Sequence, residues 1–403
     1  MRDGATKTVF SHGVGLLVGL LMIAPLINYT VPLIVNSYYW LYLVCASGLL
    51  GMMLLTTSLN WSLKFLSVYL FVSCFISQIP YLAFNAYILV VAALYLFLLS
   101  NNLNRGPILR FVEAVFWLQV ILATFQFFGM DQLVNFKGVD FEIAKNGAIA
   151  IDGGTGEVVP PVMVGTVMQY MRFGTLLVVA APFLIWRNRW YIFPLLIVCV
   201  MLKSSTLAVA LLAGAATYAA LAAPRNCLGY VFIIIISLLC LYALYDYGSF
   251  KGAIWPAHGG RLSSWWAALC TWVMDTSSSQ VPPFKGPWNW SWFFFGHGMD
   301  TFLPLFPIYK HDLNPFPQAH NDWIQIAWET GIVGLGLFTA YCSSLVRRLL
   351  RYRRFGLVAG CSMMATVMFF AFPMRMTQTM FLLVVWVGLC EGTIIYEKKA
   401  RFG

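Results

Sequence analysis

The chain has 403 residues, of which 60% are hydrophobic and only 10% charged, with a mean hydropathy of +0.78. A soluble domain carries roughly a quarter charged residues, so a water-facing surface is excluded and lipid must cover most of the molecule. The net charge of +10 does not mark a nucleic-acid binder: its basic residues fall in short connections between apolar runs, with no recognition motif beside them.

A helix crosses the hydrocarbon core with roughly 20 apolar residues. By that length rule the sequence predicts about twelve crossings, at 14–34, 38–57, 61–79, 82–100, 108–128, 164–186, 190–202, 204–223, 228–247, 322–346, 355–372 and 377–396. Arg2 and Lys7 before the first run resemble a signal peptide, but the run is long, lacks a small-residue cleavage site and is followed by further spans. It reads as an uncleaved first helix. The division at Pro80 and the short pair around Lys203 are the least regular parts of this pattern. The fold expected is an all-α polytopic integral membrane protein, a single membrane domain over 1–403.

Charge sets the expected orientation. With the N-terminus in the cytoplasm, the inside connections collect Arg2, Lys7, Arg105, Arg187, Arg189 and Arg225, then the run Arg347, Arg348, Arg351, Arg353, Arg354, and finally Lys398, Lys399 and Arg401. The short outside connections near Asn36 and Pro80 carry no basic residue, as the positive-inside rule requires. Both termini are then cytoplasmic, and two long segments fall outside. The first, 129–163, is rich in glycine and acids. The second, 248–319, is a long extracytoplasmic loop holding Trp255, Trp265, Trp266, Trp272, Trp288, Trp290 and Trp292. Tryptophan favours the membrane–water interface, and 262–274 has the composition of a short helix lying on the bilayer surface. Seven of the nine cysteines (Cys45, Cys74, Cys199, Cys240, Cys342, Cys361 and Cys390) lie in apolar spans and none forms a C-x-x-C; packing, not disulfide formation, is their expected role.

Ionisable residues in or outside spans are few, and they gather. His297, Asp300, His311, Asp312, His320, Asp322 and Glu329 follow one another, with Arg261 upstream. In the run from His320 to Gly331, Asp322, Gln325 and Glu329 are spaced i, i+3, i+7 and make one polar stripe that must face the bundle interior. Gly331, Gly334 and Gly336 are expected to allow close helix packing. His320 stands where the loop becomes a span; it reads either as an interfacial helix-capping histidine or, kept neutral by the helix dipole, as a general base. No H-x-x-x-H or C-x-x-C spacing supports a metal, and none is expected.

The motifs Gly260-Arg261-x-x-x-Trp265, Gly296-x-Gly298-x-x-Thr301-Phe302, His320-Asn321-x-x-x-Gln325 and Glu329-x-Gly331-x-x-Gly334 together resemble the signature of the O-antigen ligase and polymerase superfamily, which includes bacterial O-oligosaccharyltransferases. The likeness covers the last third of the chain and extends loosely to 165–182. It implies a GT-C-type glycosyltransferase of the bacterial inner membrane, with its active site on the periplasmic side. The implied donor is a glycan on undecaprenyl diphosphate, and the implied acceptor is lipid A–core or another glycan. No cofactor is implied. By the resemblance, Arg261 holds the departing phosphates and His320 activates the acceptor hydroxyl. Arg172, Lys203, Arg375, Asp300, Asn321 and Glu329 are candidate substrate contacts. Arg172 reads equally as a snorkelling or structural arginine, Arg375 as an ordinary loop arginine, and Asp300 and Glu329 as groups that orient Arg261 or the bundle. His258, His297 and His311 read as interfacial or substrate-contact residues. The chain departs from the family pattern at Lys203-Ser204-Ser205-Thr206, where members often carry Ser-Arg; lysine offers a point charge in place of a bidentate fork.

Within the superfamily a ligase is the first reading, with polymerase and protein O-oligosaccharyltransferase as alternatives. A transporter of lipid-linked glycans is the rival of another class. Transporters commonly show internal repeats and midplane charge, whereas this chain has no repeat and gathers its charge at one face.

Overall fold

A computed structural model of the protein describes residues 35–55, 60–99, 105–127, 170–202, 205–222, 261–274, 288–309, 319, 321–371, 373–375 and 377–402. Apart from one isolated β-bridge between Met274 and Trp288, these residues form helices and their connections. The helices are α1 (Val35–Leu55), α2 (Trp61–Ile76), α3 (Pro80–Leu99), α4 (Arg105–Phe127), α5 (Tyr170–Arg187), α6 (Ile192–Leu202) and α7 (Ser205–Ala222). They continue with α8 (Arg261–Val273), α9 (Trp290–Phe295), α10 (Phe302–Tyr309), α11 (Asp322–Arg351), α12 (Phe355–Phe370) and α13 (Thr377–Phe402), with 3₁₀ turns at Arg189–Tyr191 and Pro373–Arg375.

Each apolar run predicted to be a span contains a helix where it falls among the described residues, although the run at 61–79 leaves its helix after Ile76 and the run at 355–372 after Phe370. The runs at 14–34 and 228–247, and the segment 129–163, lie outside the described residues. Two helices have the length and hydropathy of a membrane crossing, Ile108–Phe125 in α4 and Asp322–Arg351, and shorter apolar stretches of 10–17 residues run through α1–α3, α5–α7 and α12. The chain breaks where the local chemistry requires. Pro80 opens α3, where its missing N–H costs nothing. Asn60 caps α2 by accepting from Ser62 N–H at 3.2 Å, and Asn321 caps α11 by accepting from Ile324 N–H at 3.1 Å. The short helix predicted at 262–274 is present as α8, Arg261–Val273.

The helices form two groups. α1–α3 pack around Leu49, Met53, Phe84 and Tyr87. α4–α7 pack with α12 and α13 around Phe116, Phe183, Leu211 and Trp386. α11 runs between them, giving Tyr341 to the first core and Leu345 and Leu349 to the second. Close approaches use small residues: a Cβ on Gly214 would stand 2.4 Å from Met363, and one on Gly360 would stand 2.2 Å from Trp386, the device by which helices pack where lipid supplies no hydrophobic drive. The outer faces stay apolar, with Leu55 82%, Trp61 69% and Trp190 68% exposed. α8–α10 sit on the first half of α11 around Phe302, Phe306 and Trp328; this end of the molecule is the capped end.

One ionic cluster ties α11 to α13. Arg348 donates from both terminal nitrogens to the Glu391 carboxylate, each at 2.6 Å, and Tyr341 donates to the same carboxylate at 3.1 Å. Glu391 is buried. Removing one member of a buried pair leaves the other charge without compensation, at a cost of about 3–5 kcal/mol. Glu391→Ala should therefore destabilise the folded protein in detergent by about that amount, whereas Glu391→Leu combined with Arg348→Met should recover most of it. A double-mutant cycle on thermal unfolding checks this, and additive losses would contradict the pairing.

Candidate functional site

The described parts of the four motifs (Arg261 and Trp265, Gly296 to Phe302, Asn321 to Gln325, Glu329 to Gly334) lie about one junction at the capped end. α11 is broken at Gly331, which adopts φ 66° and ψ −176° inside an otherwise continuous helix. Such a break orphans the carbonyls of the preceding turn, and buried carbonyls must find other donors. They do so across the chain. His297 N–H donates to Trp328 O at 3.0 Å, Gly298 N–H to Glu329 O at 2.8 Å, and the Tyr69 hydroxyl to Thr330 O at 2.5 Å. The segment after α9 thus replaces the helix's own hydrogen bonds.

Two glycines make this crossing possible. Gly296 has φ 74°, and a Cβ there would lie 2.4 Å from the Glu329 carbonyl; a Cβ on Gly331 would lie 2.1 Å from the Phe294 oxygen. Backbone passes against backbone, so no side chain fits on either strand of the crossing. Gly334 also sits close, against Tyr69 and Thr330, but Gly336 faces open space. The expectation that Gly336 serves close packing is corrected: it lies two residues past Gly334, on a face that no neighbour among the described residues reaches.

Aromatic stacking locks the junction. The His297 ring lies on Trp328 with centroids 3.8 Å apart and planes 17° from parallel, and Trp292 covers its other neighbourhood at 4.4 Å. His297 Nε2 stands 3.1 Å from the Thr271 carbonyl, which assigns the proton to that nitrogen. Trp328 donates to Thr271 Oγ1 at 3.1 Å and Trp272 to Trp292 O at 3.0 Å. His297 is fully buried and ties the crossing to α8. It is therefore neither interfacial nor exposed to a substrate, which corrects the reading from sequence.

The polar stripe faces inward: Asp322, Gln325 and Glu329 are all buried. Glu329 Oε1 accepts from Phe302 N–H and from Gln325 Nε2, each at 3.3 Å, so its negative charge caps the N-terminus of α10 where the helix dipole favours it. Asp322 Oδ2 accepts from Met374 N–H at 2.9 Å, which anchors the turn that ends in Arg375. Asn321 is buried with its Oδ1 spent on the helix cap, and its Nδ2 has no hydrogen-bond partner among the described residues. Asp300 holds φ 58° between Gly298 and Thr301.

The predicted cations are placed by their backbones. Arg261 is the first residue of α8, which packs along α11; four residues on, Trp265 meets Phe369 of α12 at 5.4 Å. Arg375 ends the turn bound by Asp322, and α5, which carries Arg172 in its first turn, packs against that turn. These segments and Asn321 therefore meet at the capped end. His320, Lys203, His258 and His311 lie outside the described residues. Among the described residues no three His, Cys, Asp or Glu side chains converge as metal ligands. Burial pushes the Cys270 thiol on α8 above its ordinary range, so it is a poor nucleophile at neutral pH.

A cavity of about 640 Å³ opens between the two helix groups and follows one stripe of α11, from Asp322 and Glu329 through Gly334, Phe338 and Tyr341 to Val346. At 1.5 Å per residue that stripe is roughly 36 Å long. Its walls are largely aliphatic and thioether groups of α2, α3, α12 and α13. Its polar part lies at the capped end, where Asp300, Asp322 and Glu329 border it. The cavity was not legible in advance, and neither was the partner of Glu391, although an acid within an apolar run was a signal that it must have a buried one. Comparison with protein families, curated proteins and solved structures finds no match to this chain.

Proposed function

We propose that this chain is a membrane-embedded glycosyltransferase of the GT-C type, with about twelve crossing helices by the length rule, that moves a glycan from undecaprenyl diphosphate to an acceptor such as lipid A–core at the periplasmic face of a bacterial inner membrane. The observation that carries the reading is the cavity: a long apolar slot running beside α11 to a polar end at Asp300, Asp322 and Glu329, next to the Gly296–Gly331 crossing. A polyprenyl chain fits the chemistry of the slot, and a diphosphate fits its polar end only if cations stand there. Arg261, Arg375 and Arg172 belong to segments that reach that end.

The reaction is a substitution at the anomeric carbon. The acceptor hydroxyl oxygen forms the new glycosidic bond as the bond to the diphosphate oxygen breaks, the lipid diphosphate leaves with the bonding pair, and the hydroxyl proton passes to a base. His320 is the base in this proposal, and arginines stabilise the charge that develops on the leaving oxygens. The apolar walls keep competing water from the donor.

The test is transfer in vitro. Purified protein with lipid-linked glycan should elongate lipid A–core, in preference to a second lipid-linked glycan or a pilin-like protein; elongation of either of the others instead would move the chain to a neighbouring branch. In the same assay Arg261→Lys should lose most activity although charge is kept, because a two-pronged contact to phosphate oxygens becomes a single point. Near-normal transfer by that variant would remove Arg261 from the site. Transfer to no acceptor, with net movement of lipid-linked glycan between leaflets, would favour the transporter.

A further inference from the structure

The end of the bundle opposite the junction carries charge that the proposed reaction does not use. α11 stops in a tight reversal, with Arg353 N–H donating to Leu350 O at 2.9 Å and Arg354 N–H to Leu349 O at 3.0 Å. Arg353 holds φ 54°, the left-handed conformation that usually belongs to glycine after a helix. An arginine here is kept against its own backbone preference.

Its neighbours divide into two sets. Arg348 is spent on Glu391, and Arg354 pairs with Glu397. Arg347, Arg351, Arg353 and Lys398 are exposed. Arg351, Arg353 and Lys398 have no ion-pair partner among the described residues. The Arg354–Glu397 pair brings the α13 segment bearing Lys398 beside the reversal. Tyr396, 65% exposed, adds an aromatic ring of the kind that anchors at a headgroup layer. Favourable contact with the α11 dipole accounts for Arg351 in its last turn. It does not account for Arg353, which lies past the helix end in a strained conformation that glycine would relieve.

We infer that this reversal is a binding site for the phosphate headgroup of an anionic phospholipid, formed by Arg347, Arg351 and Arg353 with Lys398 at its edge. Guanidinium forks match phosphate oxygens in pairs, and the charges stand where the apolar faces of α11–α13 end, at the level of a lipid headgroup. The inference rests on the membrane embedding proposed above and not on the transfer chemistry.

The experiment follows the thermal midpoint of the full chain in neutral detergent during titration with phosphatidylglycerol, phosphatidylcholine or inorganic phosphate. Phosphatidylglycerol should raise the midpoint, and added salt should weaken the effect; the other two should leave it unchanged. Arg353→Gly should keep or raise the lipid-free midpoint, yet need roughly fivefold more phosphatidylglycerol for the same response, and Arg351→Gln with Arg353→Gly roughly 25-fold more, from the usual contribution of one basic group at an anionic surface. An equal response to the two lipids, or an unaltered titration of Arg353→Gly, would overturn the site. A shift with phosphate alone would make it a general anion site and overturn the lipid assignment. Failure of the protein to enter phosphatidylcholine vesicles at all would instead refute the embedding.

Discussion

Gly331→Ala should unfold the capped end of the protein. The substitution places a methyl carbon 2.1 Å from the Phe294 carbonyl oxygen and 2.5 Å from Phe295 N, both backbone atoms that cannot rotate aside, and it forces alanine into φ 66°. The left-handed backbone costs a non-glycine residue about 1–2 kcal/mol, and overpacking adds about 1–3 kcal/mol, so a loss of about 3 kcal/mol or more is expected. Separation of the crossing strands also strips donors from the Trp328 and Glu329 carbonyls and frees the His297–Trp328 stack. Tryptophan emission and near-UV dichroism should therefore change along with the thermal midpoint. Gly336→Ala is the control. It lies in regular helix with nothing within 4 Å of the added carbon, and should be neutral or stabilising by up to about 1 kcal/mol through helix propensity. Equal midpoints for the two variants would mean that the two backbones do not cross at Gly331.

On the proposed function, His320→Ala should lower glycan transfer by roughly 10²- to 10⁴-fold, the usual contribution of a general base. Expression, membrane insertion and the thermal midpoint should stay at parental values, because Asn321 supplies the cap to α11. Binding of the lipid-linked donor should persist, since the arginines and not the imidazole hold the diphosphate in this mechanism. Transfer by the parent protein should fall as acid protonates the imidazole, and the variant should lose that dependence. Normal turnover by His320→Ala would remove the base assignment, and so would lost donor binding with chemistry intact. A lowered midpoint would point instead to the capping role that the sequence also allows. Inhibition by a chelator, reversed on adding metal, would turn the histidines of this loop into ligands.

The positions of the helices were legible in the sequence because they follow from neighbours along the chain. An apolar run cannot expose its backbone to lipid, so it closes its hydrogen bonds within itself, and it ends where Asn60, Pro80, Asn188 or Asn321 offers a cap or a break. The inward stripe Asp322, Gln325, Glu329 was legible for the same reason, since helical spacing and the cost of a charge in lipid leave it one direction to face. The tertiary structure alone decided what those groups meet. Nothing in local spacing says that the Gly296 strand will cross at Gly331, that His297 will stack on Trp328 beneath α8, or that Glu329 will cap α10. Nor does it say that Arg348, one of five similar arginines, is the one that clasps Glu391 from 43 residues away. These pairings depend on which helix faces lie opposite one another, and that is fixed by the packing of the two groups around α11. The apolar slot likewise follows from how the described faces of the two groups meet along α11.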